Sequence, residues 1–559
     1  MFWEGLITAR DLGRLHDIAS VLIRYGFSDI VQRMGVGTLL EKAGKILRLK
    51  QPSELTKMDT PQRVCRAMQE LGPTFIKLGQ ILATRVDLFP PDWIREFEAL
   101  QDRIPPIPFE ELRQQLEADL GAPPEEIFAS LDTQALAAAS IAQVHKARLT
   151  DGSEVVLKIR RPGIRSKIEA DLRLLSRIAD IAEKELEEKR RFHPKLIVRE
   201  FAHSLRRELD LATEARYMER VAAHFADDPD IIIAKVYWDW TSERLNVQTY
   251  LDGIPGRDLK AIDMKGLNRK LLAKRGANAV LKMVLQNGFY HADPHAGNVM
   301  FLPENRVAFL DFGMMGRLSE TRRDQIIELL SAMVNKDVSG VTEILLDWAG
   351  DSTPDMDNLS IEVDSFLDSY HGVPLKQLKL ASMLGDVTVI MRNHQLTLPP
   401  DLTMLFKVFI TLEGLGRQLD PDFDMVAEAE PFLKHAMLMR YSPQSLAKRG
   451  LRNLSSIADI IGSMPQDMRR LLRTTRRGGL QVNVDITKLD KFGRQIDRAA
   501  SRITVALVTA ALIVGSSIVM TVSGGPTLLG LPLFGFIGFM AAGLSGLWVL
   551  FSIYRGGKS

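Results

Sequence analysis

The feature that most constrains this 559-residue chain is a stretch at residues 290–313, where three polar side chains stand at fixed spacings. Asp293 is followed five residues later by Asn298, and a short apolar run then ends in Asp311, ahead of a Phe-Gly pair. Carboxylate and amide oxygens are the ligands that Mg²⁺ prefers in proteins. A separate carboxylate can orient the hydroxyl or water that attacks a phosphate. The stretch therefore predicts phosphoryl transfer, with Asp293 as the catalytic carboxylate and with Asn298 and Asp311 as Mg²⁺ ligands.

The same stretch is similar to the catalytic loop and metal-binding strand of kinase-like folds, although other interpretations compete. His291, Asp293 and His295 alternate, so they could bind a metal from one face of a strand. A dinuclear hydrolase would need further His or Asp clusters, and the sequence shows none. Small-molecule kinases of the aminoglycoside type carry a similar loop. Ala292 stands where most protein kinases have the arginine that recognises a phosphorylated activation loop, so we expect no such switch.

Composition excludes several classes of function. The net charge is only +2 and the isoelectric point is about 8.4, which gives no reason to expect nucleic acid as a partner. Cys65 is the single cysteine, so neither a disulfide framework nor a cysteine zinc cluster can form. A chain of this length exceeds what one hydrophobic core usually serves, so we expect one large domain with appendages.

A strand hairpin and a lysine are predicted between residues 142 and 159. Asp151 and Gly152 separate two β-prone runs, and this pair favours a tight turn between antiparallel strands. Lys158 lies near the end of the second run. A kinase-like fold uses a strand lysine to contact the nucleotide phosphates, and a helix glutamate holds that lysine. A lysine that ends a strand is common, but its position ahead of the stretch at 290–313 makes Lys158 the candidate.

An alanine-rich segment precedes this hairpin, where protein kinases carry a glycine-rich phosphate loop. It consists of Ala137, Ala138, Ala139 and Ser140. Glycine lets backbone N–H groups approach phosphates without a Cβ in the way, so alanines there should hold the phosphates differently. The segment is the candidate nucleotide loop, but it departs from the pattern of protein kinases.

A further segment carries Lys77 among apolar residues, followed by Gly79 and Gln80. A buried ammonium needs an acidic partner, whereas a lysine on a helix is ordinarily a solvated surface group. This Lys-x-Gly-Gln pattern is similar to the signature of the UbiB family of atypical kinase-like proteins, also called the ADCK family. The alanine-rich segment matches the same family, which weakens the case for protein phosphorylation. The resemblance implies that Gln80 takes part in nucleotide binding.

The resemblance also implies acidic partners for both lysines. Glu208 begins a match to the family's Glu-x-Asp element, and on a continuous helix Glu214 would lie close to the same face. By resemblance, Glu214 pairs with Lys158 and Glu208 pairs with Lys77. These four residues join Asp293 as the candidate catalytic set. The alternative is that both acids are solvated charges on a helix surface.

The C-terminal part changes composition sharply. Residues 503–554 contain no charged residue and no histidine, and two segments, at about 503–522 and 528–553, are each long enough to cross a hydrocarbon core of roughly 30 Å. A pair of buried core helices is the alternative. Small residues in the second segment would allow close helix pairing, within the hairpin or between two copies in a homodimer. Basic residues on both sides place the two ends and the catalytic part in the cytoplasm; they are Arg494, Arg498, Arg502, Arg555 and Lys558.

Two other regions could touch a membrane. Residues 442–500 are rich in arginine, and anionic lipid headgroups would contribute about 1 kcal/mol for each basic residue near the surface. A solvated linker is the alternative for this region. Residues 1–60 show apolar positions at helical spacing, for example Ile18 and Val31. For these residues we favour a helix face that packs on the main domain over membrane contact.

Together these features predict an α+β chain with a two-lobed fold similar to protein kinases, a family-specific N-terminal helical extension and a C-terminal transmembrane hairpin. The expected organisation is a helical region at 1–60, the Lys-x-Gly-Gln extension at 61–135, the N-lobe at 136–253, the helical C-lobe at 254–440, a basic linker at 441–500 and two transmembrane helices at 501–555.

The UbiB resemblance implies a membrane-associated kinase-like ATPase that uses ATP and Mg²⁺ and supports the biosynthesis of ubiquinone (coenzyme Q). Its implied partners are polyprenyl quinone precursors, or the enzymes that modify them, at the cytoplasmic membrane. A polyprenylphenol hydroxylase is disfavoured, because the sequence lacks the glycine fingerprint of a flavin-binding fold. Two alternatives stay open: a kinase that phosphorylates a small molecule or lipid, and a nucleotide-binding scaffold without turnover.

Overall fold

The computed structural model describes residues 9–33, 58–85, 88–100, 105–185, 194–349, 354–370 and 379–440, together with short segments between residues 504 and 544. The chain divides into two units, Met1–Leu446 and Ala447–Ser559. The described part of the first unit runs from a group of helices to a five-stranded sheet, and then to a larger helical part with small sheets. This order of a strand-rich half followed by a helical half is the one that a kinase-like α+β fold predicts.

Antiparallel pairing joins the strands of the first sheet: Phe128–Leu131, Ala137–Ala138, Ala142–Leu149, Glu154–Arg160 and Leu245–Thr249. The predicted hairpin is confirmed, and the glycine in its turn has a φ of 89°, which favours glycine. Lys158 lies between Leu157 and Ile159, which are fully buried, so strand alternation directs the lysine to the other face. The sheet begins before the expected boundary at 136, because Phe128–Leu131 pairs with the third strand.

Further helices surround this sheet: Phe109–Leu120, Pro124–Ile127, Ile164–Glu185, Pro194–Glu208 and Leu211–His224. The prediction of a continuous helix through Glu208 and Glu214 is wrong. The helix breaks at Leu209 and Asp210, where the Asp210 carboxylate accepts two backbone N–H groups of the next turn at 3.1 and 3.2 Å. This N-cap starts a new helix, so the two acids approach the site from separate helices.

The N-terminal extension consists of the helices Ala9–Arg24, Ser28–Arg33, Thr60–Leu71, Pro73–Thr84 and Pro91–Glu98. Ile18 and Val31 are each 2% exposed, and they belong to a cluster that includes side chains of the later helices. The expected packing of this region on the main domain is therefore confirmed for the described residues 9–33.

A buried carboxylate fixes the helix Pro73–Thr84, which carries Lys77 and is called the Lys77 helix below. Asp171, on Ile164–Glu185, is fully buried. Arg14 pairs with this carboxylate at 2.6 Å, and the Thr74 hydroxyl donates to it at 2.6 Å. Because a buried carboxylate needs both charge and hydrogen-bond partners, these contacts hold the first turn of the Lys77 helix in place.

The second half of the first unit is mainly helical: Leu259–Met264, Arg269–Leu281, Glu320–Val334, Val338–Ala349, Met356–Tyr370, Leu380–Asn393, Pro400–Leu419 and Met425–Arg440, with 3₁₀ turns at Trp238–Trp240 and Pro303–Asn305. One small sheet joins Ile231–Ile233, Arg306–Phe309, Val299–Leu302 and Ile254–Pro255, and another joins Phe289–His291 and Met315–Arg317. A short π-helix, Lys282–Asn287, leads to Gly288, whose φ of 60° turns the chain into the strand Phe289–His291. A large hydrophobic cluster supports this strand.

The helix Pro400–Leu419 is attached to the strand that leads into the candidate catalytic loop. The Tyr290 hydroxyl donates to the Asp401 carbonyl oxygen at 3.2 Å, and Arg322 donates its Nε–H to the Asp401 carboxylate at 3.2 Å. Tyr290 is fully buried, so the start of this helix is fixed relative to the loop.

The residues predicted to form a transmembrane hairpin fall in the second unit, and the structure does not confirm that hairpin. No helix in the described part of the chain is long and apolar enough to cross a membrane. Much of 501–555, and all of the basic linker at 441–500, lies outside the described residues. Within the described segments, Ser516 and Ala542 are buried, and a Cβ at Gly538 would lie 2.2 Å from the Ser516 Oγ. The chain around Gly538 therefore approaches Ser516 closely.

Candidate active site

The candidate catalytic loop ends at the strand Val299–Leu302, which pairs antiparallel with Arg306–Phe309. The Leu310 N–H donates to the Asn298 carbonyl oxygen at 3.0 Å, which extends this pairing by one residue. Asp311 is the next residue of the chain. Asn298 and Asp311 are therefore neighbours at the ends of adjacent strands, as a shared Mg²⁺ site requires.

His291 connects the loop to the Asp-Phe-Gly segment. Its buried ring lies near the rings of Phe309 and Phe312, with centroids 5.9 and 5.6 Å away. Its Nδ1 accepts a hydrogen bond from the Asp293 N–H at 3.1 Å. Burial lowers the pKa of His291, so the neutral ring packs between these segments. The alternative of a histidine metal site gains no support, because no group of three or more His, Cys, Asp or Glu side chains among the described residues could hold a metal.

Lys158 pairs with Glu214, as the family resemblance implies, and also contacts Asp311, which the sequence did not predict. The Lys158 ammonium donates to both carboxylate oxygens of Glu214, at 2.7 and 2.8 Å, and to Asp311 Oδ1 at 3.2 Å. The Phe312 N–H also donates to Glu214, at 3.4 Å. The side chain of Glu214 is 6% exposed, whereas that of Asp311 is 50% exposed. Glu214 is therefore the buried partner of Lys158, and Asp311 remains accessible to a ligand.

The shared ammonium acts differently on its two carboxylates. Burial raises the pKa of Glu214 to about 7, although Lys158 lowers it. Burial also raises the pKa of Asp311, but Lys158 and the hydrogen bond from the Gly313 N–H (3.0 Å) outweigh burial and hold that pKa below its usual range. Burial lowers the pKa of Lys158, yet the two carboxylates raise it overall. Asp311 is therefore ionised at neutral pH, as a metal ligand must be.

Asp293 has a lysine partner from a distant helix. Lys407 Nζ lies 3.1 Å from Asp293 Oδ1, and His295 Nε2 lies 3.6 Å from Oδ2. Burial raises the pKa of Asp293, but Lys407 and His295 lower it overall. Asn298 donates its side-chain N–H to the Asp293 carbonyl oxygen at 3.1 Å, so the Asn298 amide oxygen faces away from this bond. Lys407 is not among the candidate site residues identified from the sequence, because the sequence around it has the pattern of an ordinary helix.

The Lys-x-Gly-Gln segment makes one contact that the resemblance implies and two that it does not. Lys77 Nζ lies 2.9 Å from Glu208 Oε1. Gln80 donates its side-chain N–H to the Leu100 carbonyl oxygen at 3.2 Å, so the structure places it at a contact between segments, and its part in nucleotide binding stays a prediction. A Cβ at Gly79 would lie 2.1 Å from Cδ1 of the buried Leu100. Gly79 and Gln80 therefore pack the Lys77 helix against Leu100.

The Lys77 helix also borders the Asp-Phe-Gly segment. A Cβ at Gly313 would lie 3.7 Å from Glu208 Cγ, and the charge of Lys77 helps to lower the pKa of Asp311. A cavity of about 390 Å³ adjoins the same place, and its lining includes Ile81, Phe201, Gly313, Met315, Pro400 and Met404.

The alanine-rich segment forms a short strand and a turn. Ala137 and Ala138 pair with the neighbouring strand, and Ala139 and Ser140 lead into the turn. Arg161 donates its Nε–H to the Ala139 carbonyl oxygen at 3.0 Å, a contact that the sequence does not predict. Ser140 is only 1% exposed, so of these four residues it is the least accessible to a nucleotide.

The donor set fits an Mg²⁺-bound nucleotide. Asn298 and Asp311 offer neighbouring oxygen ligands, which suit a hard cation. The half-exposed Asp311 carboxylate, with its pKa held low, supplies the negative charge that such a cation needs. Lys158 lies on the sheet side of this position, and Asp293 lies on the loop that precedes Asn298.

Comparison with known families agrees with this geometry. Residues 99–345 match the family model described as the ABC1 atypical kinase-like domain. Residues 363–424 match the UbiB helical domain, and residues 487–555 match the ABC1/UbiB kinase-like C-terminal domain. Lys158 and Asp293 fall within the first match, whereas Lys407 falls within the second.

Curated relatives match over most of their length. A protein named "Probable protein kinase UbiB" from Xanthomonas oryzae pv. oryzae is 33% identical over 524 residues, covering 90% of this chain and 93% of that protein. A protein of the same name from Marinobacter nauticus is 33% identical over 518 residues, covering 90% of this chain and 94% of its own. The solved structure of Rv3197–erythromycin from Mycobacterium tuberculosis aligns at 22% identity with a TM-score of 0.47, covering 71% of this chain and 96% of that one.

Proposed function

Because this chain belongs to the ABC1/UbiB family of atypical kinase-like proteins, we propose that it is a membrane-associated, Mg²⁺-dependent ATPase that supports ubiquinone biosynthesis. Its ATP cycle is coupled to the handling of polyprenyl quinone precursors, or of the enzymes that modify them. One observation carries the proposal: Lys158 contacts both Glu214, at 2.7 Å, and Asp311, at 3.2 Å.

Each residue of this site has a part in the proposed reaction. Lys158, held by Glu214, would contact the nucleotide phosphates, and Asn298 and Asp311 would hold Mg²⁺. When bound, Mg²⁺ neutralises the charge on the phosphate oxygens. Asp293 orients the water that attacks the γ-phosphorus and accepts its proton. The exposed backbone near Ala137 faces the phosphates.

The Lys77 helix favours hydrolysis over the phosphorylation of a protein. Lys77 pairs with Glu208, and both line a small gap with Met314, the residue after Gly313, so this helix lies beside the Asp-Phe-Gly segment. An extended polypeptide acceptor needs an open groove beside the catalytic loop, whereas water does not. The alanine-rich segment and Ala292 also depart from the pattern of protein kinases, although the relatives are named probable protein kinases.

A cavity favours a second candidate, a kinase for a small apolar acceptor. The cavity of about 390 Å³ lies between the Lys77 helix and Pro400–Leu419, and its volume is in the range of small-molecule sites. Met404, which lines it, precedes Lys407 by about one helical turn, and Lys407 contacts Asp293. Radiolabelled ATP and a membrane extract should then give a labelled lipid with the wild-type chain and none with Asp293→Asn. A labelled lipid in neither sample would remove this candidate.

We place the protein at the cytoplasmic membrane through its second unit. Residues 503–554 carry no charge, and basic residues flank them on both sides. Among the described side chains, Leu507 is 72% exposed and Ile518 and Leu544 are 60% and 65% exposed. Exposed apolar side chains of this density favour contact with lipid or with a second apolar surface. The hairpin is therefore proposed as the membrane anchor and as the contact of a homodimer.

The test combines ATP turnover with the quinone pool. We expect the purified full-length chain to hydrolyse ATP faster in vesicles that contain anionic lipid than in neutral vesicles. In a ubiquinone-deficient strain that lacks its own family member, the wild-type chain should restore ubiquinone and Asp311→Asn should not. Normal ubiquinone with Asp311→Asn would overturn the ATPase proposal, and lipid-insensitive hydrolysis would overturn the membrane coupling. Restoration by Lys158→Ala, with nucleotide binding lost, would instead favour the scaffold.

A further inference from the structure

We infer that Lys407 positions Asp293 for phosphoryl transfer and supplies a cation to the γ-phosphate of ATP. Lys407 acts within the ATP site proposed above, on which this inference rests. Its Nζ lies 3.1 Å from Asp293 Oδ1, and the two side chains are 24% and 25% exposed. A close pair at this degree of burial is held far better than a fully solvated one.

The helix around Lys407 is embedded in the largest hydrophobic cluster. Phe406 and Val408, on either side of the lysine, are 4% and 0% exposed, and Leu405 and Phe409 are also buried. A lysine on a helix usually extends its charge into water. Here the buried neighbours fix the backbone, and the ammonium lies on the carboxylate of the catalytic loop.

The helix and the loop are also joined directly. Tyr290, three residues before Asp293, donates to the Asp401 carbonyl oxygen at 3.2 Å, and Asp401 is in the first turn of the helix that carries Lys407. Arg322 binds the Asp401 side chain as well. These contacts fix the helix that carries Lys407 relative to the loop that carries Asp293, so the fold determines the distance between the two side chains.

Other charges near the pair leave Lys407 as its main cation. His295 lies 3.6 Å from the second carboxylate oxygen of Asp293, but it is charged only when protonated. Glu98 ends the helix Pro91–Glu98, where burial raises its pKa and Lys407 lowers it. Lys407 therefore acts electrostatically on Glu98 of the N-terminal extension, while its close ion pair is with Asp293 of the catalytic loop.

The proposed reaction needs a cation at this position. The oxygen of water or of an acceptor hydroxyl attacks the γ-phosphorus, the bond from phosphorus to the bridging oxygen breaks, and ADP leaves with the electron pair. The proton of the attacking oxygen passes to the Asp293 carboxylate. An ammonium 3.1 Å from this carboxylate holds it in one orientation, and in the proposed complex the same ammonium would neutralise charge on the γ-phosphate that Asp293 faces. Lys158 is the second cation of the proposed site and would contact the phosphates from the sheet.

The test uses the full-length chain in vesicles and measures kcat, KM and the affinities for ATP and ADP with Mg²⁺. We expect Lys407→Ala to lower kcat by ~100-fold and to change KM by less than ~3-fold. The preference for ATP over ADP should also fall, because only ATP has a γ-phosphate. Lys407→Arg should recover part of kcat. In an Asp293→Asn background, Lys407→Ala should cost less than it does in the wild-type chain, because the positioning of Asp293 is already lost and only the γ-phosphate contact remains to be removed.

Two further variants separate this role from a structural one. Lys270→Ala is the matched control, because Lys270 is 71% exposed and lies 3.7 Å from Asp420 in a surface pair; its kcat should equal that of wild type. Lys407→Met keeps the apolar stem if the alanine variant does not fold.

Three results would overturn the inference: an unchanged kcat with an unchanged ATP preference, an equal loss in the Asp293→Asn background, or an equal loss from Lys270→Ala. If the wild-type chain binds ATP but does not hydrolyse it, the proposed turnover fails. The ATP preference then decides the role of Lys407 alone: its fall in Lys407→Ala supports the γ-phosphate contact, and no change overturns it.

Discussion

Asp311 and Asp293 are the two carboxylates of the candidate active site, and each is held by a lysine from a different part of the chain. Asp311 contacts Lys158, on a strand of the first sheet, at 3.2 Å. Asp293 contacts Lys407, on the helix Pro400–Leu419, at 3.1 Å. The site is therefore assembled from two halves, a sheet half that contains Lys158 and Asp311 and a helical half that contains Lys407 and Asp293.

The two halves also differ in exposure. The Asp311 side chain is 50% exposed, whereas that of Asp293 is 25% exposed. Lys158 is tied to the buried Glu214 as well, so Asp311 can exchange its lysine contact for a metal without leaving the ammonium unpaired. The sheet half is thus suited to holding Mg²⁺ and nucleotide, and the helical half is suited to the chemical step.

The strongest way to break this comparison is to remove each carboxylate charge separately. Asp311→Asn should abolish Mg²⁺-dependent nucleotide binding and lower hydrolysis by roughly 1,000-fold or more, because the metal loses its anionic ligand. Asp293→Asn should lower kcat by ~100-fold or more while the ADP affinity stays within ~3-fold of wild type. Calorimetric titration and steady-state hydrolysis measure both quantities. Equal losses of ADP affinity in the two variants would show that the halves are not separable.

A smaller effect is expected from the lysine of the sheet half. Lys158→Ala should weaken nucleotide binding by ~10–100-fold, because the phosphates lose their cation. The chain should stay folded, since Glu214, with a pKa already raised to about 7, can take up a proton when its cation is gone. Lys146→Ala is the matched control on the adjacent strand, where Lys146 is 35% exposed. A control variant that binds nucleotide as weakly as Lys158→Ala would contradict the assignment.

Sequence and structure agree best where the determining pattern is local. Asp293, Asn298 and Asp311 lie on one loop and at the ends of two strands that pair with each other, so a short local segment determines their arrangement. Lys158 can also be placed from sequence, because the Asp-Gly turn fixes the register of its hairpin and alternation fixes its face.

Contacts that depend on helix packing could not be predicted in this way. Lys407 meets Asp293 only because the helix Pro400–Leu419 crosses beside the loop, and no local pattern distinguishes such a lysine from a solvated one. The break between Glu208 and Glu214 is different, since Asp210 is a frequent N-cap residue and gives a local signal. The transmembrane hairpin stays a prediction, because much of it lies outside the described residues.

Glycine substitutions can test how closely the Lys77 helix packs on Leu100, compared with the helix that carries Lys407. Gly79→Ala should destabilise the chain by about 1–3 kcal/mol, because the new Cβ meets the buried Leu100. Gly414→Ala is the matched control in the helix that carries Lys407; nothing lies within 4 Å of its Cβ position, so it should stabilise by about 0.5–1 kcal/mol. Thermal unfolding measures both changes. A stability loss in Gly414→Ala, or none in Gly79→Ala, would contradict the close approach at Gly79.

The smallest expected effect is a pH dependence of stability in the sheet half that the helical half should not share. His145 pairs with Leu157 across the first sheet, next to Lys158, and its fully buried ring lies 3.0 Å from Gln143 Nε2. Burial lowers the pKa of His145 from its usual 6.5, so below that pH the unfolded chain binds more protons than the folded one, and stability falls as the pH decreases towards the folded pKa. Replacement by glutamine should therefore flatten the decrease in the free energy of unfolding below about pH 6.5, by less than ~1.4 kcal/mol per pH unit for one proton, as followed by thermal unfolding at several pH values. Hydrogen exchange should show that the protection of the strand Glu154–Arg160 falls as the pH decreases in the wild-type chain, and falls less in His145→Gln. The helix Pro400–Leu419 is the internal control and should respond equally in both proteins. Equal responses of the strand in the two proteins would refute a role for His145.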